Sequence, residues 1–567
     1  MKHKTLGYLL LPALLAAGNA QAQTIITRAD NAIALTVTGN PPTGAWVGGV
    51  VPTSTTAFAR FDSTTTNATN SGNQLVGGSF SAQGLIFANP TVGANGYVFN
   101  FSNSGARLIT LGANTAIDPV LLDMSNSSVN VTLGATSDTA NGNYRVGGIG
   151  ALTHNIGAGT TFTLRLPYVP TNGNAGFTTA SNASSAQMKY INFTGTGSAV
   201  LNTAFHFSTS VTDLSTTSNP NQAYMGLAIA GTNVTLNAAN RWLPVTTTHA
   251  TGNANITTGS MKFDISSGTL NVGNNDALQV DSRITNASTR ALPFSFKGGT
   301  VTASGADRTI STAGGFAFDG STTFSGSNSL TVNSSATQAS SSTLTNSLDS
   351  GKVLTLAQTV ALSNDATDRT LTVAGAGETV ISGAIANGGT STASGLTKSG
   401  LGTLTLSNTS NSFTGPLTIN AGSVKLGASG VVADTAGLVL NGGTFDLNGF
   451  SESLGSLTVS SASTVSIGSS SVSFLDSSSN TWSGSLSISG TLLATSVRFG
   501  TTSTALTSLQ QQAILVNGLG GYALDSSGFL VSAIPEPSSF AVVAGFAGLS
   551  LASLRRRRAS VGSALRG

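Results

Sequence analysis

The sequence predicts an all-β protein wound as a right-handed parallel β-helix, or β-solenoid. Three observations point there. Apolar residues alternate with Ser and Thr in short runs such as Thr403-Leu404-Thr405-Leu406, Leu417-Thr418-Ile419 and Ser485-Leu486-Ser487-Ile488, so each run has one apolar and one polar face. Gly and Asn punctuate the runs every several residues, as strand-joining turns require. Between Gln23 and about Ser532 no convincing helical period competes with the alternation. Strands this short cannot hide an apolar face alone. Stacked coils would bury a continuous core and pair the backbone groups.

Composition narrows the functional classes. The 567 residues suffice for a sizeable core, and only 8% are charged. Recurring Val, Ile, Leu, Thr and Phe argue for folded strands over disorder. Cysteine is absent, which excludes disulfides, a thiol nucleophile, thiolate metal sites and a lipidated Cys. The chain carries 24 Lys and Arg against 21 Asp and Glu, but Lys2, Lys4 and five C-terminal arginines lie at its two ends. Without them the body is slightly acidic, so no nucleic-acid partner is expected.

In chain order, residues 1–22 read as a secretory signal peptide. Lys2 and Lys4 precede the apolar stretch Leu6–Ala17, and Ala20-Gln21-Ala22 is a small-x-small cleavage site with Gln23 as the mature start. The expected partners there are the secretory translocon and signal peptidase. Residues 23–324 read as an N-terminal β-solenoid region, with rungs such as Gln83–Phe87 and Leu108–Gly112. Its periodicity loosens between about 139 and 260, around Pro167, Pro170 and Pro220. Residues 325–350 are rich in Ser and Thr with few apolar anchors, and read as a polar segment or loosely ordered rungs. Residues 351–532 read as a C-terminal β-solenoid ending in a cap, with one short helix at Ser508–Ile514.

The clearest unit is LTKSGLGTLTLSNTSNSFTGPLTINAGSVKLG, Leu396 to Gly427. Gly400, Gly402, Gly415 and Gly422 suit tight corners. Leu404, Leu406, Ile419 and Val424 should point inward, with Phe413 filling a corner. In Leu396, Lys398, Gly400, Gly402, Leu404, Leu406, Phe413, Gly415, Ile419, Gly422 and Val424 this stretch resembles the autotransporter-associated β-strand repeat. The resemblance implies a β-helix stem and no particular chemistry. Lys398, habitual in that repeat, is expected at a solvated rung edge.

The C-terminus has its own grammar. Pro535-Glu536-Pro537 precedes an uncharged stretch, Ser538–Leu554, and then Arg555, Arg556, Arg557 and Arg558. As a helix the stretch would span about 25 Å, close to a bilayer core once arginines snorkel. Four arginines beyond it favour the cytoplasmic side, leaving 559–567 as a cytoplasmic tail. The prolines hold an extended segment accessible to a processing enzyme. Residues 533–558 closely resemble the PEP-CTERM sorting signal of Gram-negative bacteria. That resemblance implies a transient inner-membrane anchor, recognition by an exosortase, and release toward the envelope, surface or exopolysaccharide matrix. An autotransporter passenger is the disfavoured route, because no stretch reads as a C-terminal membrane barrel.

Candidate chemistry is sparse. Glu378, Glu452 and Glu536 are the glutamates. Asp276 with Asp281 and Arg283, and Asp365 with Asp368, are close enough to furnish a polysaccharide lyase or hydrolase groove, though polar corners explain them better. His154, His206 and His249 are isolated and no metal spacing appears. Trp46, Trp242 and Trp482 could stack on sugars or pack corners. No catalytic residue, metal or cofactor is therefore expected. The reading is an exported structural or adhesive surface protein, with a polysaccharide-acting enzyme as the alternative. The mature N-terminus should be Gln23, and the intact mass of the exported protein checks this; retention of Met1–Ala22 would refute it.

Overall fold

In the computed structural model the described residues are 25–27, 52–53, 57–62, 73–76, 80–88, 96–101, 107–112, 118–134, 142–146, 150–166, 168–170, 188–203, 224–242, 245–246, 262–280 and 290–533. The leader with Ala20, Ala22 and Gln23, the sorting motif Pro535–Pro537, Arg555–Arg558, Asp281, Arg283, His206, His249 and Trp46 all lie outside them. No helix among the described residues is long and apolar enough to cross a membrane. The chain divides into two compact units, one comprising Met1–Phe263 with Gln279–Leu292, the other Asp264–Leu278 with Pro293–Gly567. Residues 325–350 are internal to the second unit.

The first unit is a parallel coil. One ladder joins Ile25–Thr27, Phe58–Asp62, Leu85–Ala88, Val120–Asn126, Gly150–Ile156, Met188–Gly195 and Tyr224–Ala230. A second joins Asn73–Val76, Tyr97–Phe101, Val131–Leu133, Thr161–Leu164, Ser198–Leu201 and Asn233–Leu236. A shorter third runs from Phe80–Ala82 through Arg107–Leu111 and Gly142–Val146 to Tyr168–Pro170. Of the prolines that disturb the pattern, Pro170 closes the last strand of that third ladder, where a ring that cannot donate to a neighbour is tolerated; Pro167 and Pro220 lie outside the described residues. Inside, Phe61 stacks on Phe87 at 5.1 Å and meets Tyr97 and Phe99 edge-on. Trp242 is fully buried against Phe263, so it packs and is not available to a sugar.

The second unit repeats the plan with greater regularity. Its first ladder begins at Asp264-Ile265 and continues through Phe294–Phe296, Phe316–Phe318, Ala336–Thr337, Val360–Ala361 and Ile385–Ala386. The second runs from Thr269–Val272 through Thr300–Ala303, Thr322–Gly326, Ser342–Leu348, Thr370–Gly375, Gly395–Lys398, Leu417–Ile419 and Leu438–Asn441 to Leu457–Ser461. The third runs from Arg308–Ile310 through Leu330–Val332, Val353–Leu356, Glu378–Ile381, Thr403–Leu406, Ser423–Leu426, Thr444–Asp446, Ser463–Gly468 and Leu486–Gly490 to Ile514–Val516. A fourth, Glu452–Leu454 with Val472–Phe474 and Val497–Phe499, takes over late in the unit.

The alternation read from sequence decides which side faces in. Thr300–Ala303, Val353–Leu356 and Thr403–Leu406 each bury every second residue. Residues 325–350 follow the same rule: in Ser342–Leu348 the side chains of Ser342, Leu344, Asn346 and Leu348 are buried. This segment is thus built of regular rungs, with one hydroxyl, Ser342, and two amides, Gln338 and Asn346, among the buried groups. The closing turns use a different device. The helix Ser508–Gln512 is held by a capping box, with Gln510 N donating to the Thr507 hydroxyl and Thr507 N to Gln510 Oε1. Gln510 Nε2 then donates to Ser477 O and Asn480 O, so the helix is sewn to the coil beneath it. Trp482 Nε1 donates to Leu457 O at 3.0 Å. A hairpin, Tyr522–Leu524 with Leu530–Ser532, closes the end antiparallel, and Phe499 N donates to Gly528 O across it.

Leu404 is fully buried while Thr405 beside it faces outward. Leu404→Ala should cost about 2–5 kcal/mol and Thr405→Ala within about 0.5 kcal/mol, read from denaturant midpoints. Equal costs would contradict the alternation.

Candidate functional site

The best-defined local site is the repeat unit 396–427, and its geometry follows from its glycines. Gly400 and Gly422 have φ of 76° and 68°, the left-handed region that disfavours residues with a Cβ. Gly402 is required by proximity: a Cβ there would lie 2.2 Å from Gly377 O in the adjacent coil. Gly415 is crowded in the same way by Ala393 O. The corners are therefore places where backbone rests on backbone. Leu396 pairs with Leu371 on one side and Leu417 on the other, and Phe413 is buried at its corner as expected.

Lys398 departs from expectation. It sits in the inward column between Val373 and Ile419, 1% exposed, and is not a solvated rung edge. Its stem fills the apolar column, and Nζ donates to Ser399 O at 2.7 Å and Gly400 O at 2.8 Å. The tight glycine turn leaves these carbonyls facing the corner, where an ammonium with three donors satisfies them. Burial lowers the Lys398 pKa to about 8, so the group is charged at neutral pH. One sequence signal could have revealed this: Lys398 is two residues from Leu396 and shares its strand face. Asn346 does related work nearer the start of the unit. Fully buried, it donates to Glu378 O at 2.7 Å and Thr379 Oγ1 at 3.1 Å, while its Oδ1 accepts from Leu348 N.

A second buried ionisable group was missed by sequence reasoning as a structural element. On the coils between Ile385–Ala386 of the first ladder and Glu452–Leu454 of the fourth, the second and third ladders continue but no strand forms on this side. Side chains carry the hydrogen bonds across. Ile385 N donates to Asn411 Oδ1 at 2.7 Å, Asn411 Nδ2 to Val431 O at 2.7 Å, and Val431 N to Glu452 Oε2 at 2.9 Å. Glu452 is 4% exposed. Burial raises its pKa to about 7; backbone amides of Val431, Val432 and Ser453 oppose the rise, and Asp434 adds to it.

The remaining ionisable candidates that lie among the described residues are placed as follows. Asp365 is clamped two-pronged by Arg369, both contacts at 2.8 Å; that guanidinium holds its carboxyl well below the usual range. Asp368 accepts from Thr392 N and Ala393 N, so the Asp365–Asp368 pair shapes turns. Asp276 is exposed, and its backbone N donates to Asn274 Oδ1. Lys297 meets the buried Asp264 at 2.7 Å. His154 lies between Phe162 and Phe193, and burial lowers its pKa to about 4. Among the described residues no three His, Cys, Asp or Glu side chains converge as a metal site.

The outer corners bear uncharged ladders. Asn420 Nδ2 donates to Ser399 Oγ, Asn441 Nδ2 to Asn420 Oδ1, and Ser461 Oγ to Asn441 Oδ1. Ser453 meets Ser473, and Ser471 donates to Ser451, each across one coil.

Comparison with known proteins supplies one finding. A family described as the passenger-associated-transport-repeat matches residues 396–426. These residues are thus similar to an autotransporter-associated β-strand repeat. No curated protein and no solved structure matches the chain.

Two opposed titrations follow in the second unit. The raised Glu452 pKa contributes stability below about pH 4.5 that is lost as pH rises through about 7. The lowered Lys398 pKa contributes stability above about pH 10.5 that is lost as pH falls through about 8. Hydrogen exchange at Leu417–Ile419 should therefore be fastest, after correction for intrinsic rates, between pH 7 and 8. Glu452→Gln should flatten the acid arm and Lys398→Met the alkaline arm; unchanged arms would refute the assignment.

Proposed function

We propose that the protein is an exported cell-surface or extracellular-matrix protein whose coils serve as a structural and adhesive scaffold. The observation that carries this reading is the passenger-associated repeat at 396–426, set within ladders that continue on both sides of it. A repeat whose description ties it to passenger transport supports export. Uncharged Asn and Ser ladders support a passive hydrogen-bonding surface, and exopolysaccharide is the proposed matrix partner. The clamped Asp365 and turn-capping Asp368 leave the lyase or hydrolase alternative without a convergent group of free carboxylates there.

For the route, the proposal relies on the C-terminal sequence. Pro535-Glu536-Pro537 would be read by an exosortase while Ser538–Leu554 holds the chain in the inner membrane and Arg555–Arg558 stay inside. Cleavage near the motif would release the body. Deleting Pro535–Pro537 should shift the protein from the released fraction to the inner membrane and leave its C-terminus uncut. Fractionation with mass spectrometry of the C-terminal peptide checks this. An intact Gly567 terminus in the exported wild type would refute exosortase processing.

A further inference from the structure

The outward face of the second ladder in the second unit has an unusual chemistry. Thr343 pairs with Thr372, Thr372 with Thr397, Thr397 with Thr418, Thr418 with Val439 and Val439 with Thr458. From Thr343 to Val439 the column runs with no register shift. All six are half-buried, as outward side chains on a sheet should be. The neighbouring column begins with Thr300, Thr323 and Thr345 and ends in the bonded ladder of Ser399, Asn420, Asn441 and Ser461. Neither column contains an ionisable or aromatic side chain.

We propose that this face binds ice. Strand spacing places the column's hydroxyl–methyl groups about 4.8 Å apart along the stack, and about 6.7 Å along each strand from a small uncharged outward residue, Thr345, Ala374, Ser399, Asn420 or Asn441. Both spacings lie close to those between water oxygens on a prism face of ice. Threonine is suited to such a surface. Its hydroxyl joins a water lattice, its methyl orders the water between columns, and its β-branching fixes χ1 before contact. The amide–hydroxyl ladder beside it locks the repeat, and side-chain ladders of this kind favour a flat sheet. Charge complementarity selects the same occupant: an uncharged surface suits neutral water ice, and a charged side chain would hold its own hydration shell. Without aromatic rings the face offers no stacking platform for sugar rings, which sets it apart from a dedicated glycan site. The third ladder places Lys425 and Asp446 in its outward column, so the property belongs to one side.

The test uses the mature exported protein and slowly grown polycrystalline ice. Wild type should partition into the ice and slow its recrystallisation, while Thr397→Arg, Thr418→Arg and the double variant should be excluded like an inert control protein. Thr405→Arg on the third ladder should partition like wild type, showing that an outward arginine is tolerated by the fold; circular dichroism checks each variant. Exclusion of wild type from ice, retention of the double variant in ice, or binding to a neutral polysaccharide gel with exclusion from ice would overturn the proposal.

Discussion

Everything in this molecule depends on a single constraint: strands of two to eight residues must hide their apolar faces and satisfy their backbone at once. Neither is possible within one coil. Leu396, Leu417, Leu438 and Leu457 show the solution, each stacked on the next in register. The same step that buries a leucine pairs a peptide group, so hydrophobic and hydrogen-bonding requirements share one geometry. Corners then become the difficult places, because strand pairing stops there and backbone carbonyls remain.

The unusual residues are answers to that corner problem. Lys398 and Asn346 face inward, where a polar group would ordinarily destabilise a core. Lys398 instead donates to oxygens that the tight turn leaves facing the corner, and Asn346 to Glu378 O at the start of a neighbouring strand. Asn411 and Glu452 act where a ladder lapses, relaying hydrogen bonds from Ile385 toward the strand at Glu452. Gln510 plays the same part for the closing helix. Asn411, Glu452 and Gln510 thus stand where strand pairing is interrupted, and the raised pKa of Glu452 is a by-product of where it must sit.

Much of this was legible in the sequence. The TLTL grammar settled which side of each rung is core, since a period of two leaves no choice once one residue is assigned. Phe413 at its corner and a short helix near Ser508 were also read from the sequence, and the helix closes at Gln512. What was not legible depends on distance. Lys398 read as a surface residue because charge usually means solvent, and the carbonyls that receive it are set by the Gly400 turn. Residues 325–350 read as loose because few are apolar. Ser342 and Asn346 show that inward positions here accept small polar side chains with partners within the coil stack. Asn411 and Glu452 could not be paired from sequence, since their link passes through the backbone of Val431.

Register is the claim on which the account stands, and the absence of native cysteine makes it directly measurable. Cysteines introduced in pairs can report which residues are neighbours across coils. Under mild oxidation, a Thr397→Cys/Thr418→Cys protein should form an intramolecular disulfide rapidly, while Thr397→Cys/Val439→Cys, two coils apart, should not. Equal rates for the two pairs, or a disulfide confined to the second, would contradict the stacked parallel coil.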